Sequence, residues 1–248
     1  MVWGMNLPSG FGEFWPDGEF EGEDANSTES GWRIRLRSYY KAQTPEEQKR
    51  LFDYPGDDVG AAHFYPGYVS GKLIHEVGTK FSPDRPLSTP IEPHEPPQFF
   101  QTIKTYPSLG SLIMLNDRIV AVDASLKDII DLLEPGVHQF FPIEIRMPKG
   151  AVVPKQYYTL AIGQYFDSFS PEHSKPSSWY KDGDYQFKHV DRKSDMAGLA
   201  FSSSVFGKAH LWRERRRREG LTCFSDELKA EIDRAELKVP RLYKMKAV

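Results

Sequence analysis

The sequence predicts an α+β protein with a mostly antiparallel sheet and a few short helices. Three observations support this class. Most of the patterned segments alternate between apolar and polar residues, as half-buried strands do, and fewer show helical spacing. A short amphipathic helix followed by a strand occurs twice, with an offset of 102 positions. Finally, 39% of the 248 residues are hydrophobic, which is enough for a packed core.

The first 95 residues are predicted to be a loop-rich N-terminal region with one strand and one short helix. The segment "WRIRLRSYY" (32–40) alternates apolar residues with three arginines, which favours a half-buried strand. Thr44 and Pro45 then provide the N-cap and the first position of a short helix. Frequent prolines follow, and because proline disfavours regular structure they predict a boundary near 82–98.

Residues 96–248 are predicted to form an α+β domain that contains the repeated helix–strand unit. "DASLKDIIDLLE" (123–134) and "SDELKAEIDRAE" (225–236) have the same skeleton, and the match continues without a gap into the strand after each helix. Asp123 and Ser225 are expected to cap the two helices. The first of these strands and the following "QYYTLAIGQYF" predict an antiparallel hairpin. The alternative to a true duplication is chance similarity between two amphipathic helices.

The composition argues against several classes of protein. The formal net charge of −3 and the pI near 6.2 give no overall attraction to nucleic acid or to an anionic membrane. No stretch approaches the roughly 18 apolar residues that span a bilayer, and the N-terminus does not resemble a secretory signal. The single cysteine, Cys223, excludes an intramolecular disulfide and suits a reducing compartment. We therefore expect a cytoplasmic protein.

The titratable residues form no recognisable catalytic or metal-binding motif. Seven histidines are scattered without the spacing of a zinc site, a phosphate-binding loop is absent, and no cofactor or metal is expected. Cys223 lies between apolar neighbours on a predicted strand end, where a thiol is usually buried and inert. The enzymatic alternative is a site built from scattered groups, for which His138, His210 and Glu144 are the candidates.

An arginine-rich run in "HLWRERRRREG" (210–220) is the most conspicuous charge feature. Its five arginines, between Arg213 and Arg218, are the basis of a nucleic-acid-binding alternative. Glu214 and Glu219 interrupt the run, however, and no aromatic residue lies within it. A solvated loop or helix face is therefore the simpler interpretation, and nucleic acid is not the expected partner. In a third interpretation, the run and the acidic N-terminal segment are surfaces that bind a partner, or they pair with one another within the fold.

The second half of the chain resembles a known family. The order "LxxIIDLLEPGVHQFFPIEI", "YYTLAIGQYFDS", "HLWRE" and "FSDELKAEIDRAELKVPRLYKM" is similar to that of the immunity protein 11 family of bacterial polymorphic toxin systems, over roughly residues 110–248. The pieces "GVHQFFP" and "SDELK" are the most telling. The resemblance implies an α+β protein that is encoded beside a secreted toxin and neutralises it. It implies no active site, so no functional residue is transferred.

A protein that acts by binding needs a charged, shaped surface, and the N-terminal segment is the predicted one. Residues 13–29 carry seven acids without a lysine or arginine, and aromatic residues lie among them. Such aromatic residues are typical anchors of binding hot spots, although they would equally pack the segment onto the core. The expected partner is a cognate bacterial toxin, and the sequence does not indicate an oligomeric state. The predicted partner-binding residues are Glu13, Trp15, Asp17, Glu19, Glu21, Glu23, Asp24, Arg215 and Arg216.

Overall fold

The computed structural model describes residues 1–5, 8–22, 29–74, 90–182, 186–189, 193–216 and 221–248. Within these ranges the helices are α1 (Gly31–Lys41), α2 (Pro45–Leu51), α3 (Asp58–Ile74), α4 (Ala124–Leu133), α5 (Lys193–Met196), α6 (Ser203–Phe206) and α7 (Asp226–Arg234). The strands are β1 (Val2–Met5), β2 (Gly18–Phe20), β3 (Phe99–Thr102), β4 (Leu112–Met114), β5 (Val120–Asp123), β6 (Gln139–Arg146), β7 (Tyr157–Ala161), β8 (Tyr165–Phe166), β9 (Trp179–Asp182), β10 (Gln186–His189), β11 (Ala200–Phe201), β12 (Leu211–Glu214), β13 (Leu221–Ser225) and β14 (Leu242–Ala247).

The described strands form two six-stranded sheets and one two-stranded hairpin, β9–β10. The first sheet has the order β2-β3-β6-β7-β5-β4, and the second has the order β11-β14-β1-β13-β12-β8. Most neighbouring strands are antiparallel, and the parallel pairs in the described part of the chain are β3–β6, β8–β12 and β11–β14. The predicted α+β class, its mostly antiparallel sheet and the β6–β7 hairpin are thus confirmed.

The two sheets share one five-stranded arrangement. The order β3-β6-β7-β5-β4 in the first sheet corresponds to β11-β14-β1-β13-β12 in the second, with the same sequence of parallel and antiparallel pairs. Helices α4 and α7, which belong to the repeated sequence, connect equivalent strands. The sequence repeat therefore corresponds to a repeated fold unit. In its second copy, the N-terminal strand β1 takes the place that β7 has in the first.

The repeated helices begin and pack in the same way. Asp123 accepts a hydrogen bond from the N–H of Leu126, and Ser225 accepts one from the N–H of Leu228, each at 3.0 Å. These bonds confirm the two predicted N-caps. The helices contact one another, and the apolar residues that they bury lie in one cluster between the sheets: Leu126, Ile130, Leu228 and Ile232.

The prediction of a strand over residues 32–40 is wrong, because this segment forms α1. Trp32, Leu36 and Tyr40 are buried and follow one another at intervals of four residues, which is helical spacing. The side chain of Ser30 caps the helix by accepting from the N–H of Arg33 at 3.3 Å. The alternation of apolar residues and arginines therefore does not indicate a strand here.

Helix α2 begins as predicted, since Thr44 accepts from the N–H of Glu47 at 3.3 Å. Helix α3 is additional to the predicted elements and contains Pro66 in its interior. It packs against α1 and contributes much of a core cluster beneath the first sheet. The division at residue 95 stays a prediction, although β1 and β2 each join a sheet of later strands. Residues 75–89, where the predicted boundary begins, lie outside the described residues.

Candidate functional site

A cavity of about 910 Å³ lies where the N-terminal segment meets the start of α1 and the turn between β4 and β5. We call it the N-terminal cavity. It contains two of the residues that were predicted to bind a partner, Trp15 and Glu19. Its lining residues are Pro8, Trp15, Glu19, Glu29, Ser30, Arg33, Met114, Leu115, Asn116, Asp117 and Arg118.

The β4–β5 turn supplies one wall of the cavity. Asp117 and Arg118 have φ angles of 54° and 60°, and the N–H of Ile119 bonds to the carbonyl of Asn116 at 3.1 Å. Two successive left-handed residues are what a two-residue hairpin turn of this kind requires, and Asn-Gly is its preferred sequence. A residue with a side chain, such as Arg118, costs on the order of 1 kcal/mol in this conformation. The turn therefore holds two charged side chains at the cavity in a strained backbone.

The three arginines of α1 all form ion pairs, two of them with acids of the N-terminal segment. Arg33 pairs with Asp117 of the turn at 2.5 Å. Arg35 pairs with Glu21 at 2.8 Å, and Arg37 pairs with Glu29 at 2.5 Å. The hydrogen bond from Arg37 is also the largest cause of the lowered pKa of Glu29. Two of the arginines that suggested one face of a strand are thus internal partners of the N-terminal acids.

The other predicted acids have different environments. Glu13 accepts from the ammonium of Lys238 at 3.1 Å, and Glu19 accepts from the side-chain amide of Asn116 at 2.9 Å. The carboxylate of Asp17 has no partner among the described residues. Glu23 and Asp24 lie outside the described residues.

The aromatic residues of the segment differ in packing, since Phe20 is buried in the core whereas Phe11 is largely exposed. The ring of Phe11 lies 4.7 Å from that of Trp15 and is 53% exposed. The indole N–H of Trp15 is buried without a hydrogen-bond partner among the described residues. A buried donor of this kind costs about 1–3 kcal/mol when it remains unpaired.

The described part of the arginine run, up to Arg216, does not form a solvated loop or helix face, so the expectation is wrong for these residues. Its start is β12, in which Arg213 and Glu214 are buried. Arg215 pairs with Asp167, and Arg216 donates to the carbonyl of Phe169 at 3.3 Å. Both predicted contact residues therefore lie against the 167–169 segment rather than against the N-terminal acids. Arg217 and Arg218 lie outside the described residues.

Of the three candidate catalytic residues, His138 through its side chain and His210 through its backbone N–H bond to the same carboxylate, that of Glu134, whereas Glu144 pairs elsewhere. Glu144 lies on β6, where its side chain is 44% exposed and pairs with Arg146. His138 is buried: its Nδ1 accepts from the N–H of Gly163 at 3.1 Å, so its Nε2 carries the proton and donates to Glu134 at 2.7 Å. His210 lies 2.9 Å from the hydroxyl of Ser225, which caps α7.

Glu134 is a buried residue that the sequence analysis missed. Besides the bond from His138, its carboxylate accepts from the backbone N–H groups of His210 and Leu211 at 2.7 and 3.0 Å, and from Gln164 at 2.6 Å. Burial alone would raise the pKa of Glu134, but these donors together lower it. The group holds the end of α4 to the start of β12, which is a structural role.

Two kinds of feature, a metal-binding cluster and a membrane-spanning helix, are absent from the described residues. No group of three or more His, Cys, Asp or Glu side chains in these ranges has the arrangement to hold a metal ion. No helix in the same ranges is long and apolar enough to cross a lipid bilayer.

Comparison with known proteins gave one family. A comparison with curated proteins produced no match. The model of the immunity protein family Imm11 matches residues 57–247, which is most of the chain. This match begins at the start of α3, about 50 residues before the region in which the sequence resemblance was recognised. The chain therefore belongs to the immunity protein family Imm11.

Proposed function

We propose that this protein neutralises a cognate bacterial toxin by binding it and occluding its active site. Membership of the immunity protein family is the observation that carries this proposal. We further propose that the toxin is the secreted product of a polymorphic toxin system and that the protein acts in the cytoplasm. Its one thiol, Cys223, would remain reduced in that compartment.

The arrangement of titratable groups supports binding rather than catalysis. The buried acids Glu134 and Glu214 each accept several hydrogen bonds from the backbone, so their roles in the fold are accounted for. His138 is likewise bonded through both ring nitrogens. Groups committed in this way are poorly placed to exchange protons with a substrate.

The acidic N-terminal segment, residues 13–29, is the proposed contact surface. The wider region 1–62 carries twelve acidic residues against six basic ones, and this excess would attract a basic toxin surface. Exposed Phe11 beside Trp15 provides an aromatic anchor at the edge of the N-terminal cavity. Asp17 and Glu19 are proposed contacts in the same segment, whereas Arg215 and Arg216 would form a separate basic contact.

Co-expression with the toxin encoded by the adjacent reading frame tests the function. The protein should restore growth of cells that express the toxin, and it should form a complex with an inactivated toxin on gel filtration. Absence of both effects would refute the proposed function. A mutated chain that cannot fold, expressed at the same level, controls for the burden of expression.

A pair of exposed apolar residues tests the proposed contact surface. Phe11→Ser should weaken the complex, because it removes the anchor beside Trp15. Leu132→Ser is the matched control, since Leu132 is 82% exposed on α4 and far along the chain from the N-terminal segment. Equal affinities for the two variants would exclude Phe11 from the interface while leaving neutralisation itself untouched.

A further inference from the structure

A ladder of aromatic rings lies at the corner between α2 and α3. The rings of His63 and Phe64 are 5.0 Å apart, and those of Phe64 and Tyr54 are 5.3 Å apart. Tyr54 continues to Phe52 at 5.6 Å, and Phe52 stacks on Tyr68 at 4.7 Å. We call these five residues the aromatic corner. It begins in the loop after α2 and continues along one face of α3.

Part of the aromatic corner faces solvent. Phe64 is 49% exposed, and neighbouring Val59 on the same helix is 77% exposed. Single exposed apolar residues are common, but a run of adjoining rings with two exposed apolar side chains is typical of a protein-binding surface. Aromatic residues are also the commonest anchors of such surfaces, because they bury a large area for little loss of side-chain freedom.

An acidic groove lies beside the aromatic corner. Its volume is about 240 Å³, and its walls include Phe52, Tyr54 and the carboxylates of Asp53 and Asp58. This volume is below the roughly 300 Å³ at which small-molecule pockets begin, so the groove suits one side chain of a partner. Neither Asp53 nor Asp58 has a salt bridge or side-chain hydrogen bond among the described residues.

Tyr40 is buried and also lines the groove. Burial raises the pKa of Tyr40, and the negative charges of Asp58 and Asp53 raise it further. Helix capping accounts for the neighbouring Asp57, which accepts from the N–H of Gly60 at 2.7 Å, but it does not account for Asp53.

The lining of the groove contains one basic residue, Lys49. No carboxylate among the described residues lies within salt-bridge distance of its ammonium.

We propose that the acidic groove receives a lysine or arginine side chain of the toxin, while Val59 and Phe64 contact the apolar surface around that side chain. This inference rests on the proposed function and specifies the chemistry of the partner. A basic side chain in the groove would interact with two carboxylates and with the faces of Phe52 and Tyr54. The surrounding acidic surface would speed the encounter with a basic toxin.

Matched charge variants of the full chain test the proposal. Asp53→Asn with Asp58→Asn should reduce affinity for the inactivated toxin by about tenfold or more, and should weaken the dependence of affinity on salt. Asp128→Asn with Asp233→Asn is the control, because it changes net charge equally at two exposed helical positions that pair with lysines. This control should change affinity by less than about threefold. Phe64→Ser, compared with Leu132→Ser, tests the apolar contact in the same assay.

The possible results separate this inference from the proposed function. If the unmodified chain forms no complex, the proposed function is refuted. If the unmodified chain forms a complex, and the two double variants bind the inactivated toxin with equal affinity, the groove is not the contact and this inference is overturned. Light scattering of the protein alone tests whether a second copy of this chain occupies the groove. If the wild type is a dimer and the double variant Asp53→Asn with Asp58→Asn is a monomer, the groove binds a second copy, and the inference is also overturned. Thermal unfolding verifies that each variant is folded.

Discussion

Glu214 shows how a single carboxylate can be enclosed in a sheet. Its side chain lies on β12 with no exposed surface. One oxygen accepts from the N–H and hydroxyl of Ser168 and from the N–H of Phe169, at 2.9, 2.7 and 3.0 Å. The other accepts from the N–H of Arg216 at 3.0 Å. Burial nevertheless raises the pKa of Glu214 to about 7, because these bonds only partly replace the lost hydration.

This raised pKa predicts that Glu214 contributes less to stability as the pH rises. The folded protein keeps the proton up to about pH 7, whereas the ordinary value for the unfolded chain is 4.5. The folded state therefore binds more protons between these values. The contribution is fully present below pH 4.5 and is lost as the pH rises through 7.

Urea unfolding of the wild type and of Glu214→Gln, at about pH 5 and pH 8, checks this prediction. Glutamine has no proton to release, so the variant lacks this part of the pH dependence. Its destabilisation relative to the wild type should shrink by roughly 2–3 kcal/mol between the two pH values. A difference that stays constant with pH would show that Glu214 does not titrate in this range.

A second residue-scale prediction concerns the buried ion pair Lys72–Glu95. The ammonium of Lys72 contacts both carboxylate oxygens at 2.6 and 2.7 Å, and both side chains are almost fully buried. Among the described residues, Lys72→Met leaves the carboxylate with the hydroxyl of Tyr65 and the N–H of Glu92 as its donors. The variant should lose about 3–5 kcal/mol of unfolding free energy, because a buried charge then has no countercharge.

The double variant Lys72→Met with Glu95→Gln provides the control. It removes both charges, so its unfolding free energy should exceed that of Lys72→Met alone. Chemical denaturation of the wild type, of Lys72→Met, of Glu95→Gln and of the double variant gives the coupling free energy between the two side chains. Equal destabilisation of the single and double variants would mean that the ion pair contributes only by packing.

The sequence predicts the environment of some residues but not of others. The burial of Cys223 and the caps Asp123 and Ser225 follow from neighbouring residues and are confirmed. Glu134 could not be predicted as a buried anchor, since a glutamate at the end of an amphipathic helix is usually solvated. Its donors His210 and Leu211 are about 76 residues away along the chain, and only the fold brings them close.

At the scale of elements, β1 depends on a glycine. Gly4 lies between Cys223 of β13 and Tyr243 of β14. A Cβ atom there would lie 2.7 Å from the terminal methyl of Met196 and 2.9 Å from that of Met245. Gly4→Val should therefore lower the unfolding free energy by on the order of 1 kcal/mol, because the flexible ends of both methionine side chains must move to make room.

Gly10→Val is the matched control for Gly4→Val. A Cβ atom at Gly10 would meet no atom within 4 Å. Its effect should stay within about 0.5 kcal/mol. Thermal unfolding of both variants measures the difference, and equal losses of stability would indicate that the space around β1 does not limit this strand.

The two helices that the sequence did not predict, α1 and α3, were missed for different physical reasons. In α1, apolar residues at every second position coexist with a buried set at every fourth, and packing against α3 favours the helix. Helix α3 has buried residues on most of its sides, from Ala61 to Ile74, so its sequence shows little helical periodicity. In contrast, α4 and α7 have one apolar face and clear caps, and both were predicted.

At the scale of the whole molecule, the repeat predicts a viable circular permutant. Strand β14 lies antiparallel to β1, with Met245 opposite Val2, so the two termini of the chain are close together. A linker of about eight residues would connect β14 to β1 much as the 147–156 segment connects β6 to β7. A chain opened before Gly10 should fold with a stability within about 2 kcal/mol of the wild type.

A permutant with the same linker, opened within β7 between Thr159 and Leu160, is the comparison. It divides a strand that pairs with both β5 and β6, so it should fail to fold. Far-UV circular dichroism and urea unfolding distinguish the two designs. A disordered first permutant would show that the β14–β1 connection is not equivalent to the β6–β7 connection.

Some features of the candidate site cannot be predicted from the sequence, because they depend on contacts between different segments of the chain. The acidic excess of the first 62 residues is visible in the sequence, but the pairing of Glu21 with Arg35 and of Glu29 with Arg37 is not. These pairs form because α1 meets the N-terminal segment in space. Only the fold shows which acids have no internal partner among the described residues, and Asp17 and Asp53 are two of them.

The position of β1 between β13 and β14 has a consequence for biosynthesis. Both of its neighbours are encoded more than 200 residues after it. At the roughly 5–20 residues per second of ribosomal elongation, β1 waits some tens of seconds with both backbone edges uncovered. We expect the nascent chain to complete its first sheet before its second, which must wait for β13 and β14, and this makes the exposed strand β1 a place for a chaperone to act.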